Sequence, residues 1–299
     1  MSAKFKSFMA ALAAAAGIAA SPSPGDAQSP AADQAAWAAA CTDWDEWDKP
    51  APPYRIHGNS YYVGTCGIAA ILVVGDGGLL LFDSGTEAGS EVVTANIAAL
   101  GYSISDVKAL FVSHDHFDHV GGMARMQQLS GATVYAGWGA SAVIRSGEAD
   151  PRDPQAGMHP PMAPVASVRS VRDGEAASMF GIDLQAIATP GHTPGAMSWS
   201  WQSCDGDDCA TIVYADSLSP VSRDDYRFSD HPDYLAAYRA GLAKLGSLEC
   251  DIVLTPHPSA SDMRKRMLSK QGLRSSDGCK AYAKSIGKRL DKRLAKERK

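Results

Sequence analysis

Short apolar runs separated by glycine-rich or polar turns recur along the chain, and they predict β-strands of four to eight residues. Gly58 and Asn59, for example, stand between two such runs and predict a hairpin. The predicted strands cover residues 54–57, 60–63, 67–74, 79–82, 107–112, 133–135, 167–171, 182–189, 196–202, 210–215 and 251–254.

Helical spacing of apolar residues marks several segments between these strands. Val93, Ile97 and Leu100 fall on one face of a predicted helix at 90–100, and Gly101 ends it. Strands that alternate with helices in this way predict a mixed α/β (α+β) domain. The other predicted helices cover residues 123–129, 140–145 and 232–245.

The C-terminal stretch combines an apolar stripe with many basic side chains. Tyr282, Ile286, Leu290 and Leu294 recur every fourth residue, which predicts an amphipathic helix packed on the body. The basic residues of 280–299 are then best explained as a solvated face. A nucleic-acid or membrane role of this basic face is the alternative. Because the whole chain carries a net charge of −5, no nucleic-acid partner is expected, and no stable membrane anchoring is expected either.

The N-terminal region has the composition of an export signal. Two lysines precede the apolar run 8–20, which is short for a membrane span, and small residues follow it. We therefore predict a cleaved signal peptide at 1–27 and a disordered leader at 28–40, and a periplasmic or secreted location. One domain at 41–299 is expected, because the candidate metal ligands described below are spread from position 114 to 257 and must converge. The 45% of hydrophobic residues can bury a substantial core.

Candidate metal ligands are concentrated directly after the predicted strand 107–112. His114, His116, Asp118 and His119 place four such side chains within six residues, although the chain has only eight histidines. Imidazole and carboxylate groups together suit zinc and its first-row neighbours. The spacing indicates two ions, because Asp118 and His119 are adjacent and point away from the first pair.

Two further histidines lie at the ends of other predicted strands. His192 stands in the Pro-Gly-His-Thr-Pro-Gly segment 190–195, and His257 stands between two prolines after strand 251–254. With the first motif they make five histidines and one aspartate, which is two sets of three. Three protein ligands with one open position are typical of catalytic metal sites, whereas structural sites use four.

A long irregular loop at 146–164 contains five prolines and few apolar residues. Loops of this length in a compact domain are usually functional or disordered. We predict that it forms one wall of a substrate cleft. Gln155 and His159 are its candidate contacts, with solvated surface residues as the alternative.

Six cysteines in an exported chain predict disulfides. Six cysteines allow fifteen pairings, and the sequence alone does not choose among them. A Cys204–Cys209 pair is plausible on local grounds, because it would close the turn at 205–208.

The three metal-ligand segments together resemble the metallo-β-lactamase superfamily. The segments 214–219 and 255–261, with the cysteine spacing, resemble its subclass B3. The resemblance implies a four-layer αββα sandwich with the metals at one edge between the two sheets. It also implies the disulfides Cys41–Cys66, Cys204–Cys209 and Cys250–Cys279.

The resemblance further implies two zinc ions and a ligand set for each. One ion would be bound by His114, His116 and His192, and the other by Asp118, His119 and His257. A hydroxide between two such metals can attack an amide carbonyl at neutral pH, and Asp118 would orient it. Asp83 would support the metal-binding loop from behind the ligands, with a helix cap or turn as its alternative role.

For the substrate, the resemblance implies β-lactam antibiotics: penicillins, cephalosporins or carbapenems. Ser217 and Ser219 would bind the substrate carboxylate, directly or through water, and would not act as nucleophiles; ordinary turn residues are the alternative. Asp216 distinguishes the alternative, because lactonases and thioester hydrolases of the superfamily use an aspartate near this point to bridge the metals. A periplasmic zinc-binding protein without catalysis is the third possibility. A monomer is expected.

Overall fold

The computed structural model describes residues 30–298, so the predicted signal peptide at 1–27 lies outside the described residues. Within this range the chain forms twelve strands and eight α-helices. The strands are β1 (Tyr54–His57), β2 (Ser60–Tyr62), β3 (Ile71–Gly75), β4 (Gly78–Phe82), β5 (Val107–Phe111), β6 (Thr133–Gly137), β7 (Val168–Val171), β8 (Ala176–Met179), β9 (Ile182–Ala188), β10 (Met197–Asp205), β11 (Asp208–Tyr214) and β12 (Ile252–Leu254). The helices are α1 (Pro30–Ala40), α2 (Gly89–Ala99), α3 (Phe117–Val120), α4 (Met123–Ser130), α5 (Ser141–Ser146), α6 (Pro232–Gly246), α7 (Met263–Met267) and α8 (Gly278–Glu297).

Two sheets form the centre of the fold. The larger sheet has the order β1-β2-β3-β4-β5-β6-β7, and the smaller has the order β12-β11-β10-β9-β8. Strands β4 to β7 run parallel to one another, as do β11 and β12. The sheets face each other across an aromatic core, in which Phe82 stacks on Phe111 and on Trp201 with ring centroids 4.8 Å apart in each pair.

Helices cover the outer face of each sheet, which completes the predicted αββα sandwich. On the larger sheet, Leu81 and Leu110 pack with α2 and α4, and on the smaller sheet Val213 packs with α6 and α8. Because both faces are covered, every residue of β4 is buried. The sequence of β4 accordingly has no alternation of polar and apolar positions.

The N-terminal segment differs from the prediction of a disordered leader at 28–40. Its residues from Pro30 onward form α1, which packs against β1. Trp37 is buried, with its ring edge-on to the rings of Tyr54 and Tyr62 at 6.0 and 5.6 Å. One large aromatic side chain therefore provides the apolar contact that fixes a segment of otherwise alanine-rich, leader-like composition.

The three disulfides join the pairs that the resemblance implies. Their Cα atoms are 5.2 Å apart in Cys41–Cys66, 4.0 Å in Cys204–Cys209 and 6.0 Å in Cys250–Cys279. The last bond attaches the start of α8 to the loop before β12. Among residues 30–298, no helix has the length and apolar character needed to cross a bilayer.

Candidate metal centre

The predicted ligands meet at one edge of the sandwich, between the two sheets. The segment from His114 to His119 follows β5 of the larger sheet, and His192 and His257 follow β9 and β12 of the smaller one. Two hydrogen bonds join the sheets beside this edge. Trp199 Nε1 donates to the Val112 carbonyl at 2.9 Å, and the amide of Met197 donates to the Ser113 carbonyl at 2.7 Å.

Asp118, His119 and His257 form a compact set of donor atoms. Asp118 Oδ2 lies 3.0 Å from His119 Nε2 and 3.2 Å from His257 Nε2, and the two nitrogens are 3.3 Å apart. Donors bound to a tetrahedral zinc at about 2.0–2.1 Å stand about 3.3 Å from one another. The spacing of this triple therefore fits a zinc ion.

His114, His116 and His192 form the other set, called the first triple below, with ligand atoms all within 4.8 Å of one another. In two of the rings, the nitrogen that faces away from the site donates a hydrogen bond. His192 Nδ1 donates to the Ser219 carbonyl at 2.9 Å, and His116 Nε2 donates to Asp153 Oδ2 at 2.8 Å. His114 Nε2 is buried and has no hydrogen-bond partner among the described residues. The remaining nitrogens are thus His114 Nε2, His116 Nδ1 and His192 Nε2, a donor set that suits a metal.

Burial keeps most of these imidazoles neutral, which is the form that binds a metal. It lowers the pKa of His114 and His192 well below the usual range, and it lowers that of His119 to about 4. Burial alone would raise the pKa of Asp118. The charges and hydrogen bonds of His119 and His257 outweigh burial and hold the Asp118 pKa well below its ordinary value.

Asp83 lies behind the ligands, where its carboxylate contacts the metal-binding loop. Its carboxylate accepts hydrogen bonds from the Ser113 amide and hydroxyl at 2.8 and 2.6 Å, and from the Tyr214 hydroxyl at 2.7 Å. Its Oδ2 lies 4.0 Å from His119 Nδ1. The φ angle of Asp83 is +59°, a strained value for a residue with a side chain. Complete burial raises its pKa to about 7.

Asp216 lies behind His114 and away from the space between the two triples. Its Oδ1 is 2.8 Å from His114 Nδ1, the nitrogen on the far side of the ring from Nε2, and its Oδ2 accepts from the Leu218 amide. Burial raises the pKa of Asp216 to about 8. The carboxyl group is thus placed to orient the His114 ring.

The predicted substrate contacts differ in how accessible they are. Gln155 is brought to the site, with Nε2 3.4 Å from His192 Nε2. Ser217 differs from the prediction because its side chain is completely buried, and Ser219 keeps 8% of its surface exposed. Tyr282 and Tyr238 donate hydrogen bonds to the carbonyls of Ser217 and Leu218, and these bonds draw the segment into the core.

Several residues near the site are not evident from the sequence. The rings of Trp44 and Trp47 lie 6.2 and 6.5 Å from that of His257, and both side chains are exposed. His159, a predicted contact, places its ring 5.2 Å from that of His116. Asp153 was not predicted, because a single aspartate in a proline-rich loop carries no spacing signal.

Comparison with known proteins supports this description. Residues 63–257 match the family model described as the metallo-beta-lactamase superfamily. The structure is similar to that of MIM-2 metallo-beta-lactamase, with 57% identity, a TM-score of 0.84, and coverage of 89% of this chain and 98% of that one. Metallo-beta-lactamase MIM-1 from Novosphingobium pentaromativorans is 44% identical, with a TM-score of 0.84 over 88% of this chain and 97% of that one.

Curated relatives are more distant. A hydroxyacylglutathione hydrolase of Pseudomonas putida (strain GB-1) is 31% identical over 90 residues, which is 30% of this chain and 26% of the relative. A second, from Rhodopseudomonas palustris (strain BisB18), is 26% identical over 151 residues, or 48% of each protein. The chain thus spans about half or less of the length of these two curated relatives.

Proposed function

The chain belongs to the metallo-beta-lactamase superfamily, and we propose that it is a zinc-dependent β-lactamase of subclass B3. The reaction would be hydrolysis of the β-lactam amide bond of penicillins, cephalosporins or carbapenems. One observation carries the proposal. Two complete donor triples meet at the edge of a sandwich that is similar to solved metallo-beta-lactamases, one of them at 57% identity.

Two zinc ions are the cofactor that these donors fit. The ions would lower the pKa of bound water to about 7 and polarise the amide carbonyl. Asp118 keeps its carboxylate ionised, and Oδ2 is directed at His119 and His257. Its other oxygen, Oδ1, can accept a hydrogen bond from the attacking water and so orient it. The triple of His114, His116 and His192 would hold the other ion.

On the substrate side, the described residues provide polar contacts from two loops. Gln155 reaches the site from the loop 146–164, and Ser219, in the segment after β11, contacts His192 through its carbonyl. We assign the substrate carboxylate to Ser219, because Ser217 is enclosed by the core. Neither serine acts as a nucleophile, since neither hydroxyl is paired with a general base in the described part of the chain.

A thioester hydrolase or lactonase is the second candidate, because the curated relatives are hydroxyacylglutathione hydrolases. In that reading Asp216 would bridge the metals. Its position against His114 Nδ1 favours the lactamase. A zinc-binding protein without catalysis is the third candidate, and sets of three ligands rather than four count against it.

Export to the periplasm or medium is part of the proposal. Three disulfides within the described residues suit an oxidising compartment. The substrates would be small molecules met outside the cytoplasm, and we propose that the protein works as a monomer.

The test is an assay of the purified, zinc-loaded protein on a panel of substrates. The panel contains a penicillin, a cephalosporin, a carbapenem, a homoserine lactone and a glutathione thioester. We expect turnover of β-lactams and strong loss of turnover in Asp118→Asn. Turnover of the thioester or lactone with none of any β-lactam would overturn the proposal, and zinc loss in Asp216→Asn would then support the second candidate.

A further inference from the structure

The three histidines of the first triple are oriented from different parts of the fold. His192 is held by the Ser219 carbonyl, and His114 lies against Asp216. Both of these partners follow β11, in the body of the sandwich. His116 is held by Asp153, which lies in the long loop 147–162 between α5 and β7.

Asp153 is built into the loop rather than resting on its surface. Only 4% of the residue is exposed, and its Oδ1 accepts from the Gln155 amide at 2.9 Å while Oδ2 faces His116. Arg223 donates its Nη1 to the Asp153 carbonyl at 3.1 Å and its amide to the Pro154 carbonyl at 3.0 Å. The Gln155 amide and His116 thus hold the two carboxylate oxygens, and Arg223 holds the backbone beside them.

The remaining hydrogen bonds of the loop are mostly local. Its ends are joined by the amide of Met162 and the carbonyl of Gly147 at 2.9 Å. The amide of Ala156 donates to the Asp153 carbonyl, and that of Met158 donates to the Gln155 carbonyl. The bond from His116 to Asp153 therefore connects this loop directly to a metal ligand.

We propose that Asp153 is a positioning residue, which fixes His116 with Nδ1 toward the metal and couples zinc binding at the first triple to the conformation of the loop 147–162. A carboxylate that accepts the second N–H of a ligand histidine sets its tautomer and increases its basicity. Coupling of this kind is reciprocal, so zinc should order the loop and an ordered loop should strengthen zinc binding. The inference rests on the proposed zinc chemistry, but its test needs no substrate.

The first experiment measures zinc affinity by competition with a chelator. Asp153→Ala should weaken one of the two zinc equivalents about 10- to 100-fold and leave the other at the parent affinity. Asp153→Asn should fall between, because its amide oxygen still accepts the N–H but carries no charge. Asp150→Asn is the matched control, since it changes a carboxylate of the same loop that is paired with the exposed Arg152.

The second experiment measures amide hydrogen exchange in the loop with and without zinc. In the parent and in Asp150→Asn, zinc should increase protection of residues 148–158. In Asp153→Ala this gain should disappear, while the gain around His257 remains. If Asp153→Ala does not fold, Asp153→Asn gives the same comparison with a smaller expected change.

The inference is overturned if Asp153→Ala binds both zinc equivalents with parent affinity, or if zinc leaves the parent loop unprotected. These outcomes differ from failure of the proposed function. A parent protein that binds two zinc ions but hydrolyses no β-lactam refutes only the function. A parent that hydrolyses β-lactams, with Asp153→Ala unchanged in zinc affinity, refutes only the role of Asp153.

Discussion

At the scale of single residues, the group that contacts the far nitrogen of each histidine ring determines which nitrogen is left to bind a metal. His192 has a carbonyl behind it, and His114 and His116 each have a carboxylate. A histidine whose far nitrogen is occupied can offer only the near one, and its ring cannot turn over without breaking that contact. The site is therefore organised for metal before any ion arrives.

The first prediction is that zinc binding to the metal-free protein at pH 7 releases protons. Burial raises the pKa of Asp216 to about 8, so its carboxyl is mostly protonated at pH 7. When zinc binds His114 Nε2, its positive charge favours the ionised form of the Asp216 carboxyl, whose Oδ1 lies 2.8 Å from His114 Nδ1, so the proton leaves. Calorimetry in buffers of different ionisation enthalpy measures the release.

Asp216→Asn should release fewer protons than the parent while it still binds two zinc ions. Asp83, with a pKa raised to about 7, should account for part of what remains. Equal release in the parent and the variant would contradict the assignment of the proton to Asp216.

Residue roles are predictable from the sequence where they follow from a local motif. The six predicted ligands lie in three short segments, in which the spacing of histidine and aspartate indicates metal binding. The structure brings all six side chains to one edge of the sandwich. Asp153 and the burial of Ser217 were not predictable, because each depends on a contact with a distant part of the chain. Ser217, for example, has its carbonyl bound by Tyr282 of α8, which lies 65 residues further along the chain.

At the scale of elements, strands and helices with clear periodicity are the ones that the sequence predicts. The apolar stripe of Tyr282, Ile286 and Leu290 is buried on the body, as expected for the C-terminal helix. Strand β8, with exposed and half-buried residues only, and α1, with one large apolar contact, lack such a pattern. Their existence depends on neighbours that only the fold provides.

The second prediction concerns α1. Trp37→Ala should lower the free energy of unfolding by about 3–5 kcal/mol, because it leaves a cavity against Tyr54 and Tyr62. Urea denaturation measures the change. Trp138→Ala is the control, since that ring is 66% exposed and its removal should cost under about 1 kcal/mol. Equal effects of the two changes would mean that α1 is not docked in solution.

The third prediction concerns the disulfide that holds α8. Cys250 and Cys279 are 29 residues apart, for which chain entropy gives about 3.6 kcal/mol of stabilisation. Replacing both by serine should lower the melting temperature and leave the zinc content unchanged. Replacing Cys204 and Cys209, which are 5 residues apart, should cost less, about 2 kcal/mol. An unchanged melting temperature in the first variant would contradict a role of this bond in holding the helix.

At the scale of the whole molecule, the donor triples join the two halves of the sandwich. One half contributes the segment from His114 to His119 after β5, and the other contributes His192 and His257. Each triple contains ligands from both sheets, so each zinc ion would act as a link between them. Metal removal should therefore affect stability as well as catalysis.

The fourth prediction is that chelation lowers the melting temperature and abolishes hydrolysis together. An ion that binds only the folded protein stabilises it by about 4 kcal/mol when its free concentration is about a thousand times Kd. For a chain of this size that corresponds to a shift on the order of 10 °C per site. Differential scanning calorimetry and a β-lactam assay, followed during stepwise removal and return of zinc, measure both effects.

Clavulanate, which reacts with catalytic serines, should change neither quantity, because the proposed reaction uses no protein nucleophile. Asp118→Asn should retain the first triple and so lose only part of the zinc-dependent stability, although most of the activity disappears. A melting temperature that does not respond to zinc would show that the ligands are fixed by the protein alone. In that case the two sheets would not depend on the metals to hold their edge together.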